Sequence, residues 1–200
     1  MAPDGTSLDS KGERTRRRIL DAAASEIARH GVAGSSLRAI AAAAGLKTGS
    51  VYFHFDSKEQ LFAAVLEEGL QRTLDLLDAA LSGQPGEVTA AGRLHAAIHA
   101  HAVAVSRLRA YTVVVLAPDP TGAEIAGASF RDLRRDYLDR WTGLVTDAQR
   151  EGALSGAPDA RLARDLLFGA VNAVGLAGRD PDEITSAVSA LLGLPGCPPP

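Results

Sequence analysis

Lys47, Thr48, Gly49 and Ser50 follow one another directly, and their chemistry is that of a surface built to be approached. The four provide one cation, two short hydroxyls and a glycine that lets another molecule's atoms come close to the backbone. That combination suits hydrogen bonding to phosphate oxygens and base edges better than covalent chemistry. Directly after them stand Tyr52, Phe53, His54 and Phe55, four ring side chains in a row in a chain that is only 4% aromatic. A second group with chemical potential is His95, His99 and His101. His95 and His99 have the i, i+4 spacing that puts two imidazoles on one helix face, as in a zinc site. No acidic residue follows His95, and the preceding segment offers no third ligand. Nor does the chain carry a nucleophile motif, a phosphate-binding glycine loop or paired carboxylates.

The elements that position these residues read as helices throughout. Ser10 and Glu13 are spaced as a capping box, Ile19, Leu20, Ala23, Ala24 and Ile27 form an apolar stripe, and Gly31 supplies a stop. Ser36 is the expected N-cap of a second, short helix carrying Leu37, Ile40, Ala41 and Ala44, which breaks at Gly45. A third helix must fit before the Asp56-Ser57 pair, and Leu46 is placed to plug the core between the two. From Ser57 a stripe of Leu61, Phe62, Val65, Leu66, Leu70, Leu74, Leu77 and Leu81 continues to Gly83–Gly86. Further helices are expected near 88–105, 106–117 (ended by Pro118 and Pro120), 122–152 (ended by Gly152), 159–177 and 181–193. The last has Asp180 as N-cap, Pro181 at the first helical position and Glu183 at the third. No alternating strand and no internal repeat is found, so the expected class is all-α with about nine helices.

Two short helices joined by a tight glycine turn and packed on a first helix describe a helix-turn-helix, whose second member enters the DNA major groove. The run from Ser36 to Leu61, SLRAIAAAAGLKTGSVYFHFDSKEQL, resembles the DNA-binding domain of the tetracycline-repressor (TetR) family of bacterial transcriptional regulators. The resemblance covers about residues 14 to 66 and rests on Ile40-Ala41, Ala44-Gly45, Tyr52, His54-Phe55, and Lys58 with Leu61. It implies that Tyr52, His54 and Lys58 reach backbone phosphates and that Phe55 packs inward. Many members have serine then lysine where this chain has Lys47 then Thr48, which makes Thr48 a candidate cap. Many also have tyrosine at the position of Phe53, which stays open between core packing and contact with the DNA backbone. The set expected at DNA is Ser36, Arg38, Lys47, Thr48, Gly49, Ser50, Tyr52, Phe53, His54 and Lys58. Arg14, Arg16, Arg17 and Arg18 are placed either to reach phosphates or to form a solubilising face.

Charge distribution agrees with that polarity. The net charge is −3, yet residues 1 to 60 carry nine Lys/Arg against seven Asp/Glu, which leaves the remainder at −5. No apolar run approaches the roughly 18 residues of a membrane span. The N-terminal stretch has no apolar signal region, and the lone Cys197 can form neither an internal disulfide nor a metal cluster. A cytoplasmic protein without cofactor or metal is expected. The expected organisation is a DNA-binding domain over 10–60, a helical effector-binding and dimerisation domain over 61–194, and flexible tails at 1–9 and 195–200.

For the second domain the resemblance implies a ligand-binding body whose last two long helices pair with those of a second subunit. Residues 163–177 are apolar on nearly every side, which asks for burial either against both a core and a partner or wholly within the monomer. The homodimer is expected through the helices near 159–177 and 181–193. Polar or aromatic groups on apolar stripes give the candidate effector residues His99, Tyr111, Phe130, Tyr137, Trp141, Phe168 and Asn172. Ala170 is a position where added bulk would be expected to fill such a cavity. The expected function is a ligand-responsive repressor that binds a palindromic operator as a homodimer and leaves it when a small, largely apolar effector binds. The alternatives are an effector-less constitutive DNA-binding protein and an enzyme using the His95, His99 and His101 cluster.

Overall fold

In the computed structural model, residues 11–82, 89–117, 125–154, 156 and 159–194 are described. They form nine helices and no strand: α1 (Lys11–Gly34), α2 (Leu37–Ala43), α3 (Thr48–His54), α4 (Lys58–Ser82), α5 (Ala90–Arg107), α6 (Arg109–Leu116), α7 (Ala128–Arg150), α8 (Ala160–Leu176) and α9 (Pro181–Leu191). The all-α class is as the periodicity predicts. Ser10, the Gly83–Gly86 stop, Pro118, Pro120, Cys197 and both expected tails lie outside the described residues.

Local sequence accounts for most boundaries. Gly31 interrupts the end of α1 with φ 71° and ψ 170°, a conformation closed to L side chains. The Ser36 side chain accepts a hydrogen bond from the Ala39 N–H at 3.1 Å and so caps α2. Gly45, at φ 65°, turns the chain out of α2, and the Leu46 N–H reaches back to the Ala41 carbonyl at 2.9 Å. Asp180 caps α9 by accepting from the Asp182 and Glu183 N–H groups. The helix expected over 122–152 is interrupted by the extended backbone of Gly127 (ψ 174°), after which α7 begins at Ala128; residue 122 itself lies outside the described residues.

The apolar stripes pack α1, α2 and α3 around Ile19, Leu20, Ala23, Ile40, Val51 and Phe55, all buried. The fourth helix starts against this unit through Leu61, Phe62 and Val65 and continues through Leu70, Leu74 and Leu77 into the body formed by α5–α9. At about 1.5 Å per residue its 25 residues span roughly 37 Å, enough to belong to both parts. Two glycines permit close helix contacts in the body. A Cβ on Gly69 of α4 would stand 2.8 Å from Tyr111 Cβ of α6, and one on Gly175 of α8 would stand 2.6 Å from Val105 Cγ1 of α5. No helix among the described residues is long and apolar enough to cross a membrane.

Candidate DNA-reading surface and effector cavity

The leading end of α3 is exposed and carries no side-chain cap. Lys47 is its N-cap residue (φ −76°, ψ 148°) and makes no capping hydrogen bond; Thr48 is already inside the helix, so it is not the cap. The Ser50 N–H is satisfied by the Lys47 carbonyl at 2.9 Å. A Cβ built on Gly49 meets nothing within 4 Å, so nothing inside the protein requires glycine there. Val51 and Phe55 turn into the core, while Tyr52 is half exposed and Phe53 is 86% exposed. Phe53 therefore does not pack in the core; its ring stands edge-on to His54 at 5.3 Å. Arg38 is exposed on α2, next to the Ser36 cap.

Other cations near this surface are tied down. Lys58 donates to the Ser35 carbonyl at 2.8 Å and the Ala33 carbonyl at 3.4 Å, closing the loop between α1 and α2. The third N–H of its ammonium is left for an outside acceptor. Arg18 donates to the Ala44 carbonyl at 2.6 Å, locking the turn before α3 onto α1, and Arg16 lies 5.3 Å over the Phe55 ring. These two arginines build the reading unit rather than extend from it.

The three histidines of α5 do not converge. His95 pairs with Ser189 Oγ (2.9 Å) and His99 with Asp182 (3.0 Å), both on α9, whereas His101 points into the body. His99 is consequently not a cavity residue, contrary to expectation. Residues two apart on a helix point about 200° away from each other, so a cavity that takes His101 excludes His99. His101 belongs instead to a ring cluster with Tyr137, Trp141 and Phe168. Its ring stacks on Phe168 at 4.8 Å, and Tyr137 stacks on the same ring at 5.6 Å. Trp141 is fully buried and stands edge-on to Phe168 at 5.0 Å, behind the cavity wall rather than on it.

Beside this cluster lies a cavity of about 120 Å³, bordered among others by His101, Tyr137, Phe168, Asn172, Tyr111 and Thr73. A larger apolar cavity of about 450 Å³ adjoins it, sharing Val115 and Arg134. Phe130 lines this second chamber, with Phe62, Leu66 and Val114, and so stands apart from the ring cluster. Ile27, Ala28, Gly31 and Val32 of α1 form its far wall, so the chamber touches the reading unit directly. Ala170 faces outward on α8 and borders neither chamber.

Polar groups around the cavities are unevenly satisfied. Tyr137 Oη lies 2.8 Å from His101 Nδ1. Burial lowers the His101 pKa to about 4, opposed by the nearby Asn172 side chain, so the imidazole is neutral at pH 7. Burial also raises the Tyr137 pKa, keeping the phenol protonated. Tyr111 donates to Asp21 Oδ1 of α1 at 2.8 Å, and Arg72 of α4 donates to the same oxygen at 2.9 Å while its guanidinium lies 5.1 Å over the Tyr111 ring. One cavity-lining side chain thus bonds straight to the first helix, a contact with no local signal among neighbouring residues.

Residues 19–65 match the family described as bacterial regulatory proteins of the tetR family, and residues 87–176 match the tetracyclin repressor-like C-terminal domain. The chain is 31% identical over 156 residues to the HTH-type transcriptional repressor SCO4008 of Streptomyces coelicolor, covering 78% of this chain and 74% of that protein. Its fold superposes on the transcriptional regulator FadR from Bacillus subtilis in complex with stearoyl-CoA with a TM-score of 0.69, at 22% identity over 89% of this chain and 98% of that one. It also superposes on AibR in complex with isovaleryl coenzyme A and operator DNA with a TM-score of 0.71, at 23% identity over 91% of this chain and 100% of that one. With the helix-turn-helix at its head and the cavity-bearing helical body behind it, the chain belongs to the TetR family of bacterial regulatory proteins.

Proposed function

We propose that the protein is a homodimeric transcriptional repressor of the cytoplasm that binds a near-palindromic DNA operator and is released by a small, largely apolar effector. The observation that carries this reading is the exposed leading end of α3, with Lys47, Gly49, Ser50, Tyr52 and Phe53 turned away from a core that Val51 and Phe55 anchor. Lys47, Thr48, Gly49 and Ser50 enter the major groove; Tyr52, His54, the remaining Lys58 N–H and, beside the cap, Ser36 and Arg38 hold the phosphate backbone.

Dimerisation is supported by α8, which in the single chain buries Ala163, Leu167 and Val171 but leaves Leu162, Leu166 and Val174 exposed on another face. Leu191 of α9 is 86% exposed as well. A contiguous apolar face of this kind is what a twofold helix-pair interface covers. The two adjoining cavities supply room for an effector, and the acyl thioesters bound by FadR and AibR are the first compounds to screen.

The test is operator selection from a randomised duplex library, followed by titration at several salt concentrations. Expected are half-sites about one turn of B-DNA apart, roughly 34–36 Å, and an affinity that falls steeply as salt rises. Equal affinity for every duplex, or affinity that ignores salt, refutes the proposal.

A further inference from the structure

Two residues that line the smaller cavity carry polar atoms buried without a hydrogen-bond partner, His101 Nε2 and Asn172 Oδ1. The hydroxyls of the lining are occupied. Thr73 Oγ1 donates to the Gly69 carbonyl (2.8 Å), Thr112 Oγ1 to the Leu108 carbonyl (3.3 Å), and Tyr111 Oη to Asp21. The Tyr137 phenol has His101 Nδ1 as its hydrogen-bond partner, so the arrangement that leaves no phenolic proton stranded has Tyr137 donating and Nδ1 accepting. The imidazole proton then resides on Nε2. This donor and this acceptor face each other, since Asn172 acts on the imidazole through its side chain, but their contact does not meet hydrogen-bond geometry, and leaving both so costs the protein part of the desolvation of each group.

We infer that this cavity is built to take a neutral hydroxyl on a flat apolar body, a phenol-like group that accepts from His101 Nε2–H and donates to Asn172 Oδ1. A hydroxyl satisfies both atoms at once. A carbonyl or an ether satisfies only the histidine, and a hydrocarbon satisfies neither. An ionised carboxylate finds no charge at His101, which is neutral, and is repelled by Asn172 Oδ1; Arg134, a cation of the lining, stands instead where the two chambers meet. The volume of about 120 Å³ is several times the roughly 30 Å³ share of one water and close to that of cavities that admit a single aromatic ring. The near-parallel rings of Tyr137 and Phe168, 17° apart, offer a flat wall. Any larger part of the ligand extends past Val115 into the apolar chamber. This inference rests on the effector-binding reading above and specifies the ligand chemistry of that site.

Trp141, the only tryptophan, reports on the cavity through Phe168 and His101. Its fluorescence, excited at the red edge, is followed while the full-length protein is titrated with p-cresol, 4-methylanisole, toluene and p-toluate, and each affinity is confirmed by calorimetry. Expected is saturable binding of p-cresol at least about tenfold tighter than toluene, with the anisole between them and the toluate weakest, the scale that one or two unmade buried hydrogen bonds set. In His101→Leu and Asn172→Leu the p-cresol advantage should shrink to within about threefold while toluene still binds, which shows that the cavity survived. If either variant fails to fold, the wild-type ranking decides alone. Toluene or p-toluate binding as tightly as p-cresol, the advantage persisting in both variants, or no saturable binding at all overturns the inference. Operator anisotropy on the same samples separates the two readings. Operator binding without p-cresol binding removes this inference and leaves the regulator intact, whereas p-cresol binding without any operator affinity keeps the site and removes the regulator.

Discussion

Replacing Gly49 by alanine isolates the demand of the DNA from the demands of the fold. A methyl at this position points into open space, with no protein atom within 4 Å, and Gly49 sits inside α3 with no positive φ to defend. Glycine inside a helix is less favourable than alanine by about 0.5–1 kcal/mol, so the variant should be more stable by up to that amount. In a chain of 200 residues this raises the melting temperature by about 1–4 °C. At the operator the same methyl intrudes between α3 and the groove. Overfilling a closely packed contact costs about 1–3 kcal/mol, a loss of roughly 5- to 150-fold in affinity. Differential scanning calorimetry and fluorescence anisotropy on a labelled operator measure the two effects separately. Unchanged operator affinity would mean that DNA never approaches Gly49. A drop in melting temperature would mean that the space around it is not open.

The neutral, buried His101 makes stability depend on acid. Its folded pKa of about 4 lies below the ordinary 6.5, so the unfolded chain binds more protons between these values and stability is lost as pH falls through that window. At about 1.4 kcal/mol per pKa unit the loss reaches about 3 kcal/mol, with His95, lowered by burial and then by His99, acting in the same direction; His101→Leu should flatten the pH profile of urea unfolding. Leu166→Asp places a charge on the exposed apolar face of α8, where it should change monomer stability by about 0.5 kcal/mol or less yet convert dimer to monomer in sedimentation experiments. A dimer that persists refutes the interface. Tyr111→Phe removes the bond from α6 to Asp21 and should cost about 1–2 kcal/mol in urea unfolding, because Arg72 still holds the carboxylate. It should also change the ratio of operator affinities with and without effector, and an unaltered ratio would exclude this contact from signalling.

Features that a few neighbouring residues decide were legible in the sequence. The Ser36 cap, the Gly45 turn, the Asp180-Pro181 start and the apolar stripe of α4 each follow from side chains within one or two turns, and together they bring out the helix-turn-helix. The cavity is different in kind. The fifth helix is buried around most of its circumference, from Ala91 and Leu94 to Ala104 and Val105, so its apolar pattern does not single out one inward face, and His99 and His101 were indistinguishable until its rotation was known. Ala170 failed as a cavity residue for the same reason, since α8 reads as apolar on nearly every side although one of those sides is solvent in a single chain. The side-chain cap expected of Thr48 gave way because the chain enters α3 one residue earlier, at Lys47. Lys58 bound to two carbonyls and Tyr111 bound to Asp21 join residues 23 and 90 positions apart, and no local pattern encodes such pairs.

The wall that α1 contributes to the larger chamber makes the cavity and the DNA-reading surface parts of one thermodynamic cycle. Ile27 and Ala28 belong to the same helical run, before the Gly31 break, that Arg18 fastens to the turn before α3. If seating on the operator shifts α1 against α6 and α7, the volume open to a ligand changes with it. Whatever factor the ligand takes from operator affinity, the operator must then take from ligand affinity. A tenfold effect in one direction is about 1.4 kcal/mol in both. Operator DNA is in that sense itself an effector of the cavity, and a promoter with a tighter site would need a higher ligand concentration before it is released.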